Sequence, residues 1–130
     1  MQTVYYRAAD GSEPVSDYID GLSVQEQVAV GNAIDRLNML AAHEPPLPFP
    51  HTSHVRGNLR ELRCHYGRNL YRVLYGRSHN LFVLLHIFSK RTHSIPKADI
   101  GIAQARWDDF KARMTAIKRV PPRAAGRDAP

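Results

Sequence analysis

The sequence predicts an α+β fold in the element order β-α-α-β-β-β-α, and three observations carry that prediction. Apolar residues recur twice at helical spacing near the N-terminus, three strand-like segments follow with Gly/Asn turns between them, and a last helical stripe begins after a proline. This order implies a twisted antiparallel hairpin sheet packed against two N-terminal helices, with a C-terminal helix added last.

Residues 3–7, rich in Val and Tyr, read as a first strand closed by the turn pair Asp10-Gly11. Pro14 then suits the first position of a helix whose Val15, Tyr18, Ile19 and Leu22 share one face, and Gly21 ends it. Ser23-Val24-Gln25-Glu26 is a capping box. It opens a second helix running to about Ala42, striped by Val30, Ile34, Leu37 and Leu40. Pro45, Pro46, Pro48 and Pro50 make the next stretch a stiff extended connector that returns the chain to the sheet.

Residues 59–66 alternate, with Arg60, Leu62 and Cys64 on one side and Glu61, Arg63 and His65 on the other. The turn 66–69 leads to a partner strand over 70–75, and 76–80 to a strand over 81–88 that is apolar on both faces, as a central strand should be. After Ile95-Pro96, Ile100, Ala103, Trp107, Phe110 and Met114 mark the last helix. A single domain over 1–117 and a basic, flexible tail over 118–130 are expected.

At 130 residues, 43% of them hydrophobic, the chain buries a modest core without needing disulfides or a metal. The lone Cys64 forms no internal bridge, and no secretory pattern opens the sequence, so a cytoplasmic location is expected. The longest apolar run, 81–88, is too short to span a bilayer. Charge is segregated. Residues 1–55 carry 2 basic and 7 acidic side chains, 56–91 carry 8 basic residues against Glu61 alone, and 92–130 carry 8 against 4. A positive face of this kind suits phosphates, nucleic acid above all, though charge alone also fits a merely solubilising surface.

Familiar catalytic signatures are missing: there is no Gly-rich phosphate loop, HExxH, CxxC or GxSxG. His51-x-x-His54 follows a proline run instead of lying on a helix, which argues against a metal pair, and no cofactor is expected. What remains is a group of cations. Arg63 and Arg72 flank one hairpin turn and Lys90 follows the third strand. Converging there, they neutralise a phosphate and stabilise the extra charge of a pentacovalent transition state. His65 shares a face with Arg63 and is a candidate for moving protons, with Tyr66, Tyr71, His86 and His93 as further candidates. Alternation puts Arg72 with Leu70 and Leu74, toward the core, so it must reach a phosphate or a carboxylate.

The stretches Val55-Arg56-Gly57-Asn58-Leu59-Arg60-Glu61-Leu62-Arg63, Leu70-Tyr71-Arg72-Val73-Leu74-Tyr75 and Leu84-Leu85-His86-Ile87-Phe88-Ser89-Lys90-Arg91-Thr92, with Pro96, together resemble HigB-type toxins. These belong to the RelE/ParE superfamily and include a phage-derived branch. The resemblance spans roughly residues 55–114 and implies a RelE-like fold. It also implies a ribosome-dependent, metal-independent endoribonuclease that cleaves mRNA in the A site, and a cognate helix-turn-helix antitoxin as partner. Arg63, Arg72 and Lys90 fall on basic positions of the family pattern. Arg56, Arg60, Arg68, Tyr71, Arg91 and His93 are expected to contact RNA. The alternatives are a ParE-like inhibitor of DNA gyrase that acts by binding alone, and a non-toxic basic nucleic-acid-binding domain.

Overall fold

One sheet separates two apolar layers in the computed structural model, which describes residues 1–89, 94–115 and 121–127. The elements are β1 (Gln2–Tyr5), α1 (Pro14–Asp20), α2 (Val24–Asn38), β2 (Thr52–Arg56), β3 (Leu59–Tyr66), β4 (Asn69–Ser78), β5 (Leu81–Ser89) and α3 (Lys97–Met114). The class is α+β, with strand order β1-β5-β4-β3-β2. The sheet departs from the expected one in two ways. It is mixed instead of antiparallel, because β1 lies parallel to β5 with Val4 beside Val83. A parallel pair is joined by a long crossover instead of a turn, so no local signal announces it. In addition, β2 emerges from the proline segment and pairs antiparallel with β3, Ser53 opposite Glu61. Its sequence, TSHVR, lacks clean alternation. It is an edge strand, and its register shifts at a bulge between His54 and Arg56.

The helical spacing translates directly into packing. Val30, Ala33, Ile34 and Leu37 of α2 lie on Leu62, Cys64, Tyr71, Val73 and Tyr75 of the sheet, joined by Val15 of α1. Each fully buried Val, Ile or Leu among them contributes about 1.5–3 kcal/mol. Ser23 and Glu26 close the capping box that opens α2. The helix stops at Asn38, short of Ala42. Leu40 is still buried, but in the following turn, where its carbonyl and that of Asn38 accept the Met1 amine. Cys64 is a core residue on this face, and burial pushes its thiol up.

The opposite face belongs to α3. Ala103, Trp107 and Phe110 pack on Val4, Tyr6, Leu59, Leu74, Val83, Leu85 and Phe88. Gly76 makes this approach possible, since a Cβ there would lie 2.7 Å from the Trp107 ring. A bulge in the β4–β5 ladder pairs Leu74 with His86 but Tyr75 with Leu84, leaving Leu85 as the extra residue. The helix α3 thus lies chiefly over β5 and β4, and its cluster reaches Leu59 at the start of β3.

The described part of the expected tail is ordered against the body. Ala124 bridges Val4, the Ala125 amide donates to the Thr3 carbonyl at 2.7 Å, and the Tyr5 amide donates to the Arg123 carbonyl at 2.9 Å. The reason is the exposed edge of β1, whose backbone groups need partners. Gly126, at φ +102°, then passes so close to Asp35 that a Cβ would lie 2.3 Å from its Oδ1. Residues 118–120 and 128–130 lie outside the described residues.

Candidate functional site

The β3–β4 ladder sets Arg63 directly opposite Arg72, so both side chains leave the same face of the sheet. Two like charges in this relation repel each other, and a carboxylate resolves the conflict. Glu61 Oε2 accepts from Arg72 Nε at 2.7 Å. Its Oε1 accepts from Arg72 Nη2 at 3.3 Å, Arg63 Nη1 at 3.2 Å and Ser53 Oγ at 2.8 Å. Arg72 is 1% exposed and lies over the Phe88 ring, its guanidinium carbon 5.6 Å from the centroid. Arg63 keeps its side chain 17% exposed and meets Phe49, at 5.2 Å from that ring's centroid. One arginine is thus internal and the other reaches solvent.

Of the two partners open to Arg72 in the sequence, the structure supplies the carboxylate. Glu61 was missed as a functional residue, although two signals pointed to it. It shares a strand face with Arg63, and it is the lone acid in the basic stretch 56–91. Burial alone would raise the Glu61 carboxyl. Hydrogen bonds from Arg72, Ser53 and Arg63, with the Arg72 charge, outweigh that and hold it below the usual carboxylate value.

A group depressed in the folded state stabilises the protein above its unfolded value, about 4.3 for Glu, and that contribution is lost as pH falls through the folded value. Urea midpoints should therefore fall from pH 6 toward pH 3, and fall less steeply in Glu61→Gln than in the wild type. Equal slopes in the two proteins would show that Glu61 takes no part in acid sensitivity.

The remaining expected contacts divide by face. His65 is exposed at the end of β3, on the Arg63 side. Arg56, at the end of β2, and Arg68, in the β3–β4 turn, are also exposed. Arg60 and Tyr71 do not join them. Arg60 lies an odd number of residues from Arg63, so it projects to the α2 side and donates to Thr52 Oγ1 at 2.9 Å. Tyr71 is 4% exposed beneath α1 and α2, where its hydroxyl donates to Glu26. Burial, reinforced by that carboxylate, pushes the phenol up to about 12, so it keeps its proton at neutral pH. Neither residue is placed to touch an RNA bound at Arg63. Lys90, Arg91 and His93 lie outside the described residues.

Among the other proton-transfer candidates, Tyr66 is 39% exposed at the end of β3. His86 sits beside the β5 bulge, its Nε2 2.7 Å from Asp99 Oδ1 of α3 and its ring stacked on Phe88 at 5.6 Å. Arg106 Nη1 lies 3.4 Å from the other ring nitrogen. His86 is thus engaged on both nitrogens, and its described partners tie α3 to the sheet. In the His51-x-x-His54 stretch, His54 has its Nε2 3.0 Å from the Gly57 carbonyl. Among the described residues no group of three or more His, Cys, Asp or Glu is placed to hold a metal ion. No described helix is long and apolar enough to cross a membrane.

A family model for the phage derived protein Gp49-like (DUF891) family matches residues 17–108. The match begins inside α1 and ends inside α3, taking in Glu61, Arg63 and Arg72 on the way. A search of curated proteins finds no match. Because the family model covers well over half of the sequence, the chain belongs to the phage-derived Gp49-like family.

Proposed function

We propose that this protein is the toxin of a type II toxin–antitoxin pair, a HigB-type member of the RelE/ParE superfamily that cleaves mRNA on the ribosome. The single observation that carries the reading is the solvent-reaching Arg63, held by Glu61 in register with buried Arg72. Its guanidinium fork is suited to the non-bridging oxygens of a phosphate. In the reaction, the 2′-oxygen of the RNA bonds to the adjacent phosphorus as the bond from phosphorus to the 5′-oxygen breaks. A proton leaves the 2′-hydroxyl and another reaches the departing oxygen, giving a 2′,3′-cyclic phosphate and a 5′-hydroxyl. Arg63 and Lys90 offset the charge that grows on the phosphate, work a metal ion does in other nucleases. Arg72, shielded from solvent, acts through Glu61 as a positioning residue. His65 is an exposed histidine on the Arg63 face of β3 and the candidate for proton transfer.

Dependence on the ribosome follows from the incomplete proton-transfer set. Arginine and lysine hold phosphates well but remove protons poorly at neutral pH. Clamping the RNA in line supplies on the order of 7 kcal/mol or more in favourable cases. The exposed Arg56 and Arg68 extend the positive surface toward ribosomal RNA, and a helix-turn-helix antitoxin is the expected neutralising partner.

A second reading is favoured by the same Glu61, which cancels part of the positive charge on this face: a ParE-like inhibitor that blocks DNA gyrase by binding. One preparation separates the two. On the first reading, purified protein cleaves a defined mRNA in programmed ribosomes with an empty A site, far faster than the naked RNA, and leaves gyrase supercoiling untouched. A zinc-selective chelator, with magnesium held constant, leaves the rate unchanged. Block of supercoiling without RNA cleavage would replace the first reading by the second.

A further inference from the structure

We infer that Phe49 is a stacking platform for an unpaired RNA base, set beside the phosphate-binding Arg63 by the proline-rich loop. The inference rests on the RNA reading and assigns a role to a loop that no catalytic step uses. Phe49 is 70% exposed, yet one side of its ring is committed to the Arg63 guanidinium at 5.2 Å. The rest of the ring is open. A phenyl group standing in solvent gains nothing by its exposure, whereas between a cation and a nucleobase it completes a stack that any base can join.

The loop holds this ring in place before a ligand arrives. Pro48 and Pro50 flank Phe49, and proline leaves little backbone freedom on either side. The His51 amide donates to the Pro48 carbonyl at 2.9 Å, and the Thr52 hydroxyl donates to the Leu47 carbonyl. The Arg63 amide donates to the His51 carbonyl at 2.9 Å, which fastens the loop to the very residue that Phe49 covers. Arg63 Nε, buried beneath, has no hydrogen-bond partner among the described residues. An aromatic platform and a cation fork on one rigid support match a single-stranded nucleotide, base to Phe49 and phosphate to Arg63. They do not match a duplex, whose bases are already stacked. The surrounding charge, with exposed Arg56 at the end of β2 and exposed Arg68 in the β3–β4 turn, is complementary to RNA.

The test uses the full chain and a short, fluorescently labelled single-stranded RNA at fixed low salt. Phe49→Ala should weaken binding by roughly 5- to 30-fold, the loss of one base–aromatic stack, with an unchanged urea midpoint because the side chain is exposed. Phe49→Trp should restore binding, and its indole emission should be quenched by the RNA. Trp107, 2% exposed in the core, provides a constant background. Phe49→Leu, apolar but not aromatic, should bind like Phe49→Ala. Wild-type affinity in Phe49→Ala or Phe49→Leu would overturn the stacking platform alone and leave the ring to a protein partner. Failure of the wild type to bind this RNA at all would overturn this inference, while the functional reading stands or falls by cleavage in programmed ribosomes.

Discussion

Glu61→Ala is expected to destabilise the fold by about 3 kcal/mol, which for a domain of this size lowers the melting temperature by roughly 10 °C. The expected loss is large because of what remains when the carboxylate goes. Arg72 is 1% exposed, and two of its guanidinium nitrogens donate to Glu61. A guanidinium cannot shed its charge at any ordinary pH, so it stays ionised and buried beside Phe88 without its two Glu61 hydrogen bonds. Arg63, opposite it in the ladder, then faces it with no carboxylate between them. Replacing both members of the pair should cost much less than removing one. In the double variant Glu61→Ala, Arg72→Met, an unbranched apolar side chain fills the arginine's space and no buried charge is left. Most of the lost stability should return, and a urea-denaturation cycle over the four proteins gives the coupling directly. A single-variant loss below about 0.5 kcal/mol would mean that the pair contributes little to the fold.

The features the sequence displayed were those with a short period. In β3, alternation separated Glu61, Arg63 and His65 from Arg60, Leu62 and Cys64, and the structure keeps that division. The stripe from Ile100 to Met114 became the buried side of α3, with Ala103, Trp107 and Phe110 at its centre. What escaped the sequence was long-range pairing. The parallel β1–β5 contact, the return of residues 123–125 to the β1 edge and the seat that Gly76 provides for Trp107 all depend on residues far apart in the chain. No local composition encodes them.

The candidate site divides in the same way. The Arg63–Arg72 convergence follows from one hairpin and could be read in advance. Placing Arg60 and Tyr71 with them ignored the alternation that already set Arg60 beside Leu62 and Cys64. Phe49 carried no periodic signal, because its position comes from loop anchoring at His51 and Arg63. Glu61 offered its lone negative charge, but its joint hold on both arginines needs the register to be seen.

Loss of the Arg63 guanidinium should be the most damaging change to function and milder to the fold than loss of Glu61. Glu61 retains Arg72 and Ser53 when Arg63 is lost, so Arg63→Ala should cost less stability than Glu61→Ala, which leaves buried Arg72 without its carboxylate. The larger effect is on the transition-state charge that it offsets. Removing one such electrostatic contact typically slows a reaction by about 10²–10³. Arg63→Lys keeps a charge but loses the planar fork, and should recover only part of the rate. The decisive measurement is the single-turnover cleavage of one mRNA in programmed ribosomes by wild type and Arg63→Ala, with matched concentrations, salt and urea midpoints. The expected result is ribosome-dependent cleavage by the wild type and a rate at least about 10²-fold lower in the variant. A folded Arg63→Ala protein that cleaves at the wild-type rate would contradict the assignment of this face as the RNA-cleaving site.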